Sequence, residues 1–207
     1  DTMKKSILSI LCFALSLSVQ SCDNKTDSIK IVSNKKNPIS SVLINKNSSL
    51  AFLIDSLQVK HHNISIHIDK SDFVLSVMDI DKVIKQYSVV LGINPIDDKR
   101  IQGDRCTPEG TFHIVSKYPH KNWRKFIWID YPNEESKRKF KEAKSKGEIS
   151  KDAKIGGELG IHGTPEGSDY LIDNKVNWTW GCISLNRKDV DEIYPYIKKS
   201  TEIIIEK

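Results

Sequence analysis

The stretch ISIHIDKSDFVLSVMDIDKVIKQYSVVL, residues 64–91, carries the strongest structural signal in this chain. Apolar and polar residues alternate along 64–69, and two further apolar segments, 73–79 and 83–91, follow after short polar turns. A period of two is typical of strands with one buried face, and short polar turns join antiparallel neighbours. The stretch therefore predicts three antiparallel strands and a mainly β fold.

Similar patterns elsewhere predict more strands and a few short helices. The predicted strands are 111–116, 123–131, 159–162 and 201–205. Apolar residues at helical spacing predict a helix at 49–57 and another from the expected N-cap Asn186, while the charged segment 134–146 is also helix-prone. Pro195 lies inside the last pattern, so we expect that helix to be kinked or restarted there. The helix at 134–146 could cover a site as a lid or fill a crossover.

The composition fits one folded domain with appendages. The chain has 207 residues, of which 38% are hydrophobic, and this is enough for one core but not for two comfortable ones. The formal net charge is +5, and lysines are spread along the whole chain. This balance suits an anionic envelope polymer. Because no basic motif is interleaved with aromatic residues, we expect no nucleic-acid partner.

The N-terminal segment has the features of an export signal. Two lysines precede an apolar run at 7–19, which as a helix would span only about 20 Å of a hydrocarbon core of roughly 30 Å. We therefore predict a lipoprotein signal peptide at 1–21 instead of a membrane span. Cys22 follows in a context that resembles a bacterial lipobox, which makes it the predicted lipidation site. Ordinary cleavage near Ser21 is the alternative.

These features predict four regions and a location. After the signal peptide at 1–21 we expect the lipidated Cys22 with a polar tether at 22–48, a short helix and connector at 49–60, and the main folded domain at 61–207. The protein would then be exported to the bacterial cell envelope. A lipid anchor would hold it to a membrane, facing the periplasm or the outside.

The four cysteines separate into two groups. Cys12 and Cys22 fall in the N-terminal regions, which leaves Cys106 and Cys182 in the folded domain. Two cysteines are too few for a disulfide scaffold, although these two could pair with each other. We expect both to be free thiols, with Cys106 a bystander.

The stretch from His162 to Cys182 contains the groups that a thiol acyl-transfer site needs. That chemistry uses a thiolate, an imidazole that takes and returns its proton, and backbone N–H groups that hold an oxyanion. A free thiol has a pKa of about 8.5, so an adjacent imidazole would increase the thiolate fraction at neutral pH. His162 is the candidate, and because 20 residues separate it from Cys182, the two must meet through folding.

Two glycines stand next to these residues. Gly181 and Cys182 would place consecutive backbone N–H groups near an attacked carbonyl, as an oxyanion hole requires. Gly163 follows the histidine, and its carbonyl can accept a hydrogen bond from the imidazole and fix the tautomer. No side-chain carboxylate is evident for this orienting role, so we expect the Gly163 backbone to perform it.

Several segments, in this order, resemble the L,D-transpeptidase (YkuD-domain) family of peptidoglycan enzymes. They are IHIDKS (66–71), GD (103–104), TPEG (107–110), IHG (161–163) and TWGCI (179–183). The resemblance covers about residues 62–206. The family pattern is a His, a gap, and then Ser/Thr-His-Gly-Cys. This chain departs from it at Trp180, where His is usual, and at Ser184, where Asn or Arg is common.

The resemblance implies a YkuD-type β-sandwich with short helices and an L,D-transpeptidase-like catalytic domain at 61–207. It implies that Cys182 is the nucleophile and His162 the general base and acid. The implied substrates are peptidoglycan stem peptides, and no metal or organic cofactor is needed. We expect a monomer.

Three further residues are predicted to bind substrate. Thr179 resembles the family's Ser/Thr and would be structural or substrate-facing. Trp180 would either pack against the last helix or form a hydrophobic wall for the donor stem peptide. Arg187 could bind a substrate carboxylate or be a solvated surface charge.

The sequence leaves three functions open. The first is an L,D-transpeptidase that transfers an acyl group to an amine of a second stem. The second is an L,D-carboxypeptidase or peptidoglycan amidohydrolase, in which water replaces the amine at the same Cys-His site. The third is a non-catalytic peptidoglycan-binding module, which the loss of His at Trp180 suggests.

Overall fold

The structure is a computed structural model that describes residues 42–207. This part of the chain contains eight strands and four short α-helices. The strands are β1 (Ile64–Asp69), β2 (Val74–Asp79), β3 (Lys82–Ser88), β4 (Gly110–His120), β5 (Arg124–Ile129), β6 (Gly160–Gly163), β7 (Ile183–Leu185) and β8 (Glu202–Glu206). The helices are α1 (Leu50–Ser56), α2 (Glu134–Ser145), α3 (Tyr170–Asp173) and α4 (Arg187–Ile193). The predicted signal peptide at 1–21 and the lipidation site Cys22 lie outside the described residues.

The strands follow one another in the order β3-β2-β1-β8-β4-β5-β6-β7. β1, β2 and β3 pair antiparallel, which confirms the strands predicted from residues 64–91. β8 pairs parallel with β1, and β7 pairs parallel with β6. Parallel neighbours need a crossover connection, so these two pairings are not visible in the local sequence pattern. The mainly β fold is confirmed.

Strand β4 links two halves of this sheet. Its first part, from Gly110 to His113, pairs with β8, and its remainder pairs with β5. At the two outer edges, Val90 beyond β3 pairs with Ser184 of β7 through backbone hydrogen bonds of 3.0 and 2.9 Å. Buried side chains from both halves belong to one apolar core, as expected of a β-sandwich. The segment after β3 is thereby placed next to β6 and β7.

Helix α1 confirms the helix predicted at 49–57. It begins at the N-cap Ser49, whose side chain accepts a hydrogen bond from the Phe52 N–H. Leu50, Leu53 and Ile54 are buried on the face that packs on the domain. The Leu50 N–H also donates to Glu192 Oε1 of α4 at 2.7 Å, so α1 is fixed by a polar contact as well as by its apolar face.

Helices α2 and α4 also form where the sequence predicts them. α2 lies between β5 and β6 and contacts the loop between β3 and β4, where the Lys139 ammonium is 3.6 Å from Asp98 Oδ2. α4 ends at Ile193, since Pro195 cannot continue the helical hydrogen bonds; the helix stops instead of being kinked or restarted. Asn186 is the N-cap by position, but its side chain makes no capping hydrogen bond. No helix within residues 42–207 has the length and apolar character required to cross a membrane.

A buried lysine anchors the long loop between β3 and β4. Lys70, just after β1, is almost completely buried. Its ammonium Nζ donates to Asp97 O at 2.9 Å, to Thr107 O at 3.2 Å and to Glu109 Oε1 at 2.7 Å. A buried charge needs such partners because leaving it unpaired is costly. The loop is therefore held close to the sheet, where it contributes to the site described next.

Candidate active site

The parallel pairing of β6 with β7 places His162 and Cys182 close together. The register sets His162 beside Ser184. Continued by one residue, the same register sets Cys182 beside Gly160. Because side chains alternate along a strand, His162 and Cys182 lie on the same face of the pair. The fold thus brings together two residues that are 20 positions apart in the sequence.

Glycine at position 160 leaves this face open. A Cβ atom there would lie 2.4 Å from the Ile127 carbonyl oxygen and 2.8 Å from the Phe126 ring, which is too close for any side chain. Consequently no β6 side chain stands directly beside Cys182. The diagonal neighbour His162 becomes the β6 side chain that faces the thiol.

The orientation of His162 is fixed by its neighbour in sequence. Its side chain is buried, with 2% exposure, and its Nδ1 atom lies 2.8 Å from Gly163 O. A carbonyl oxygen can only accept, so Nδ1 carries the proton and Nε2 holds the free lone pair. This is the geometry that the predicted orienting role of Gly163 requires.

Aromatic rings enclose the imidazole. Trp123 stacks on it with ring centroids 4.7 Å apart, Phe126 is stacked at 5.9 Å, and Trp178 meets it edge-on at 5.5 Å. Burial in this apolar setting lowers the pKa of His162 to about 4, with His120 adding to the decrease and the Gly163 hydrogen bond opposing it. The imidazole is therefore neutral at pH 7 and able to accept a proton.

Cys182 is a partly accessible free thiol at the start of β7. Burial raises the pKa of the Cys182 thiol to about 11, whereas the Gly160 backbone hydrogen bond and the positive charge of Lys99 act in the opposite direction. Its Sγ atom also lies 3.9 Å from Glu158 O. At pH 7 the resting site thus contains a neutral thiol and a neutral imidazole instead of a preformed ion pair.

Lys99 is a buried cation near Cys182 that the sequence did not indicate. It is buried in the loop between β3 and β4 and pairs with Asp104 at 2.7 Å. Asp104 also accepts the backbone N–H groups of Arg100, Ile101 and Cys106, and these hydrogen bonds, with that of Lys99, overcome the effect of burial and lower the Asp104 pKa. This explains the GD segment at 103–104 physically, since its carboxylate organises the loop and fixes the cation near the nucleophile.

Thr179 fastens the turn that presents Cys182. Its buried hydroxyl donates to Cys182 O at 2.6 Å and accepts the Gly181 N–H at 3.2 Å. Of the two predicted roles of Thr179, structural or substrate-facing, these hydrogen bonds fit the structural one, because the hydroxyl is used inside the turn.

Gly181 lies in the tightest part of that turn. Its φ of +128° is unfavourable for side chains, and a Cβ atom would lie 2.6 Å from the Cys106 carbonyl oxygen. Since its N–H already donates to Thr179, the predicted oxyanion role of Gly181 requires that hydrogen bond to be exchanged for one to substrate.

Trp180 points away from the domain. Its side chain is 74% exposed, and the Arg105 guanidinium lies 5.6 Å from the centre of its ring. Packing against the last helix, one of the two predicted roles, is therefore wrong. An exposed indole with a cation over its face, two residues from Cys182, forms a surface at the edge of the site.

Arg187 lies at the other end of β7. The strand runs from the residue after Cys182 to Leu185, so it separates the two by about 10 Å along its axis. The Arg187 guanidinium donates to Thr164 O at 3.2 Å, and its backbone N–H donates to Asp169. The two predicted roles of Arg187, contact with a substrate carboxylate or a solvated surface charge, stay predictions. In the structure, its hydrogen bonds join α4 to the segment after β6.

Cys106 is a buried free thiol, and no disulfide joins it to Cys182. Its Sγ donates to Asp104 O at 3.4 Å. Burial, followed by the nearby negative charge of Asp104, raises the pKa of the Cys106 thiol to about 11. Cys106 differs from Cys182 in being buried instead of partly accessible, and its predicted role as a bystander stays a prediction.

Two polar atoms beside the imidazole have no hydrogen-bond partner among the described residues. They are Trp178 Nε1 and Ser184 Oγ, both buried.

Three residues around the site, Trp123, Phe126 and Lys99, were missed by the sequence analysis. No spacing signal could have found them, since each comes from a distant segment.

Residues 42–207 contain no group of three or more His, Cys, Asp or Glu side chains that could hold a metal ion.

The arrangement can perform acyl transfer through a thioester. A neutral thiol lies on the same face as an imidazole whose Nε2 lone pair is free to take its proton. The Thr179 turn holds the backbone of Gly181 and Cys182, and Lys99 contributes positive charge near the thiol. These are the parts that nucleophilic catalysis by cysteine needs.

Comparison with known proteins gives a family. The family model described as the L,D-transpeptidase catalytic domain, YkuD, matches residues 63–205. A search of curated proteins finds no match.

Solved structures with a similar fold come from several bacteria. The helical cell shape determining protein Pgp2 from Campylobacter jejuni is 22% identical with a TM-score of 0.52, covering 76% of this chain and 55% of that one. Bdellovibrio bacteriovorus Bd1075 is 21% identical with a TM-score of 0.49, covering 70% and 48%. An L,D-transpeptidase from Mycobacterium smegmatis is 13% identical with a TM-score of 0.46, covering 70% and 59%. The chain spans about half the length of the first two, and the likeness to Pgp2 is one of fold.

Proposed function

The chain belongs to the YkuD family of L,D-transpeptidase catalytic domains, and from this membership we propose that it is a cysteine acyltransferase acting on peptidoglycan stem peptides. Cys182 is the proposed nucleophile and His162 the proposed general base and acid. The observation that carries the proposal is the fixed tautomer of His162. With Nδ1–H held by Gly163 O, the Nε2 lone pair is free on the face that it shares with Cys182.

In the first half of the reaction, the Cys182 sulfur attacks the carbonyl carbon of the third residue of a donor stem. His162 Nε2 accepts the thiol proton during the attack, as the neutral resting states of both groups require. The tetrahedral intermediate then collapses. The peptide bond breaks, a thioester remains on Cys182, and His162 returns the proton to the departing amine of the terminal D-residue.

In the second half, an amine of another stem attacks the thioester carbonyl. His162 accepts the amine proton and returns it to the Cys182 sulfur as the thioester breaks. The new amide links the two stems, and the enzyme is restored. The Cys182 N–H, together with Gly181 once it releases Thr179, is proposed to hold the oxyanion in both halves.

The exposed surface formed by Trp180 and Arg105 is the proposed contact for the donor stem. The indole provides an apolar face, and the guanidinium provides a cation for a stem carboxylate. Both lie at the edge of the site, where a peptide must pass to reach Cys182.

The test is to incubate the purified protein with a disaccharide tetrapeptide and to identify products by mass spectrometry. Dimers with a 3→3 link would support transfer. Tripeptide without dimer would support the carboxypeptidase alternative, and unchanged substrate would contradict both. Cys182→Ala should abolish turnover, whereas the matched variant Cys106→Ala should retain it because that thiol is buried.

We also propose that the protein is an exported lipoprotein anchored through Cys22. The support is the charged start, the apolar run and the lipobox-like cysteine of the sequence. In a bacterial host, intact-mass analysis should show a diacylglyceryl group on Cys22. Cys22→Ser should move the protein from the membrane to the soluble fraction, and an unmodified Cys22 would contradict the proposal.

A further inference from the structure

A row of stacked rings leads from the surface to His162. His120, at the end of β4, stacks on Trp123 with centroids 4.3 Å apart and an interplanar angle of 11°. Trp123 in turn stacks on His162 at 4.7 Å and 25°. Trp123 is only half buried and lies in the hairpin turn between β4 and β5. Its ring therefore covers one face of the imidazole from outside the core.

The backbone of Trp123 holds the same histidine from a second side. Its carbonyl oxygen accepts the Gly163 N–H at 3.0 Å, and the Gly163 carbonyl in turn contacts His162 Nδ1 at 2.8 Å. One residue thus contacts the imidazole directly through its ring and indirectly through the peptide unit that sets the tautomer. Two contacts in different directions restrict both the plane and the rotation of the imidazole.

The turn that carries Trp123 is itself fixed by His120. The Nδ1 atom of His120 accepts the backbone N–H groups of Asn122 and Trp123, each at 3.2 Å. Arg124 follows with a φ of +63°, and the Lys125 N–H donates to the Trp123 carbonyl, which closes the next turn. The segment 120–125 is therefore a built support for the Trp123 ring and not a loose connection.

We propose that Trp123, held by His120, is a positioning residue for His162 that keeps the imidazole oriented and shielded from water so that Nε2 can accept the thiol proton. This inference rests on the proposed function for its catalytic meaning. Trp123 itself takes no part in proton transfer. Its effect is exerted through the orientation and the hydration of His162.

The physical reason is that an apolar ring over an imidazole disfavours the charged form. The low pKa of His162 has burial as its largest cause, and Trp123 contributes to that burial. The titratable groups around the imidazole are His120, behind Trp123, and the Cys182 thiol, beyond Gly160. Phe126 and Trp178 face it from other elements and bring no charge.

The experiment measures the His162 imidazole directly by NMR, so it does not depend on any substrate. In Trp123→Leu, the His162 pKa should rise by at least about one pH unit toward 6.5, and the Nδ1–H tautomer should be less populated. Trp123→Phe keeps an aromatic stack and should restore the pKa to within about half a unit of the wild-type value. Tyr118→Leu is the matched control, because Tyr118 stacks on Phe126 in the same cluster.

A kinetic measurement connects this effect to catalysis. The apparent pKa of the acid limb of kcat/KM for the tetrapeptide should increase in Trp123→Leu by the same interval as the NMR pKa. Trp123→Phe should restore the wild-type apparent pKa. If the wild-type protein shows no turnover, the proposed function is contradicted, but the NMR result for His162 remains valid. An unchanged His162 pKa and tautomer in Trp123→Leu would overturn the positioning role, and so would an equal shift in Tyr118→Leu.

A second variant covers the case in which Trp123→Leu does not fold. His120→Ala keeps the Trp123 ring but removes the acceptor of the two turn N–H groups. It should decrease the population of the Nδ1–H tautomer of His162, as Trp123→Leu does, by a smaller amount; this readout does not depend on the charge of His120. If the His120→Ala protein is folded and the His162 tautomer population is that of the wild type, the proposal is wrong.

Discussion

Acidification from pH 7 to pH 5 should destabilise the folded domain through His162. The fold lowers the pKa of this imidazole from 6.5 to about 4. At a pH between these two values, the unfolded chain binds a proton at His162 and the folded chain does not. A group of this kind contributes its stability fully above the unfolded pKa. That contribution is lost as the pH falls from about 6.5 toward 4.

The size of the effect follows from the two pKa values. Between pH 7 and pH 5, His162 should decrease the free energy of unfolding by about 2 kcal/mol, and by about 3 kcal/mol at pH 4. Solvent screens this contribution of His162 to the free energy of unfolding very little, because the residue is only 2% exposed. For a domain of marginal stability this is a large share of the total.

The assay is urea unfolding of the wild type and of His162→Gln at pH 7 and pH 5. Glutamine does not titrate, so the difference between the two pH dependences isolates His162, while carboxylates such as Asp104 and Glu192 contribute equally to both proteins. The wild type should lose about 2 kcal/mol more than the variant over this interval. Parallel pH dependences of the two proteins would refute the assigned pKa and the apolar enclosure that causes it.

Three further predictions concern the supports of the site. Asp104→Ala should reduce the free energy of unfolding by about 3 kcal/mol, because buried Lys99 loses its partner; in the same urea assay, breaking the exposed pair with Lys137 by Glu134→Ala should change nothing measurable. Thr179→Val should cost about 1–3 kcal/mol because the buried Gly181 N–H loses its acceptor, and Thr179→Ser should be tolerated; equal unfolding midpoints for Val and Ser would contradict this. Trp180→Ala should lower kcat/KM for the tetrapeptide by about tenfold without changing the unfolding midpoint, since the ring is exposed. Tyr170→Ala, which removes another exposed ring, is the control, and an equal loss there would remove the case for a specific contact.

Local patterns were sufficient for the elements that depend on local contacts. The meander at 64–91 was predictable because alternation and short turns are properties of neighbouring residues. α1 was predictable because its cap and apolar face lie within eight residues of one another. The contact between His162 and the Gly163 carbonyl belongs to the same class, since it joins adjacent residues.

The orientation of the residues predicted to bind substrate has the opposite property, because it depends on how the backbone turns around Cys182. Thr179 and Arg187 are close to Cys182 in sequence. The turn directs the Thr179 hydroxyl inward, and strand β7 places Arg187 at the end of the strand that is far from Cys182. Trp180 was expected, as one of two roles, to pack on the last helix, but the turn at Gly181 directs it outward. Closeness along the chain does not set the direction of a side chain once the backbone turns.

The sequence alone was enough to single out Cys182 and His162, because a thiol and an imidazole are recognisable by type and by their order in the chain. Their meeting depends on the parallel pairing of β6 with β7, which no local pattern encodes. The same is true of the Trp123 stack and of the Lys99 charge, which come from the turn between β4 and β5 and from the loop after β3. Those contacts influence the pKa values of His162 and Cys182, because burial and electrostatics sum over everything that surrounds a group in space.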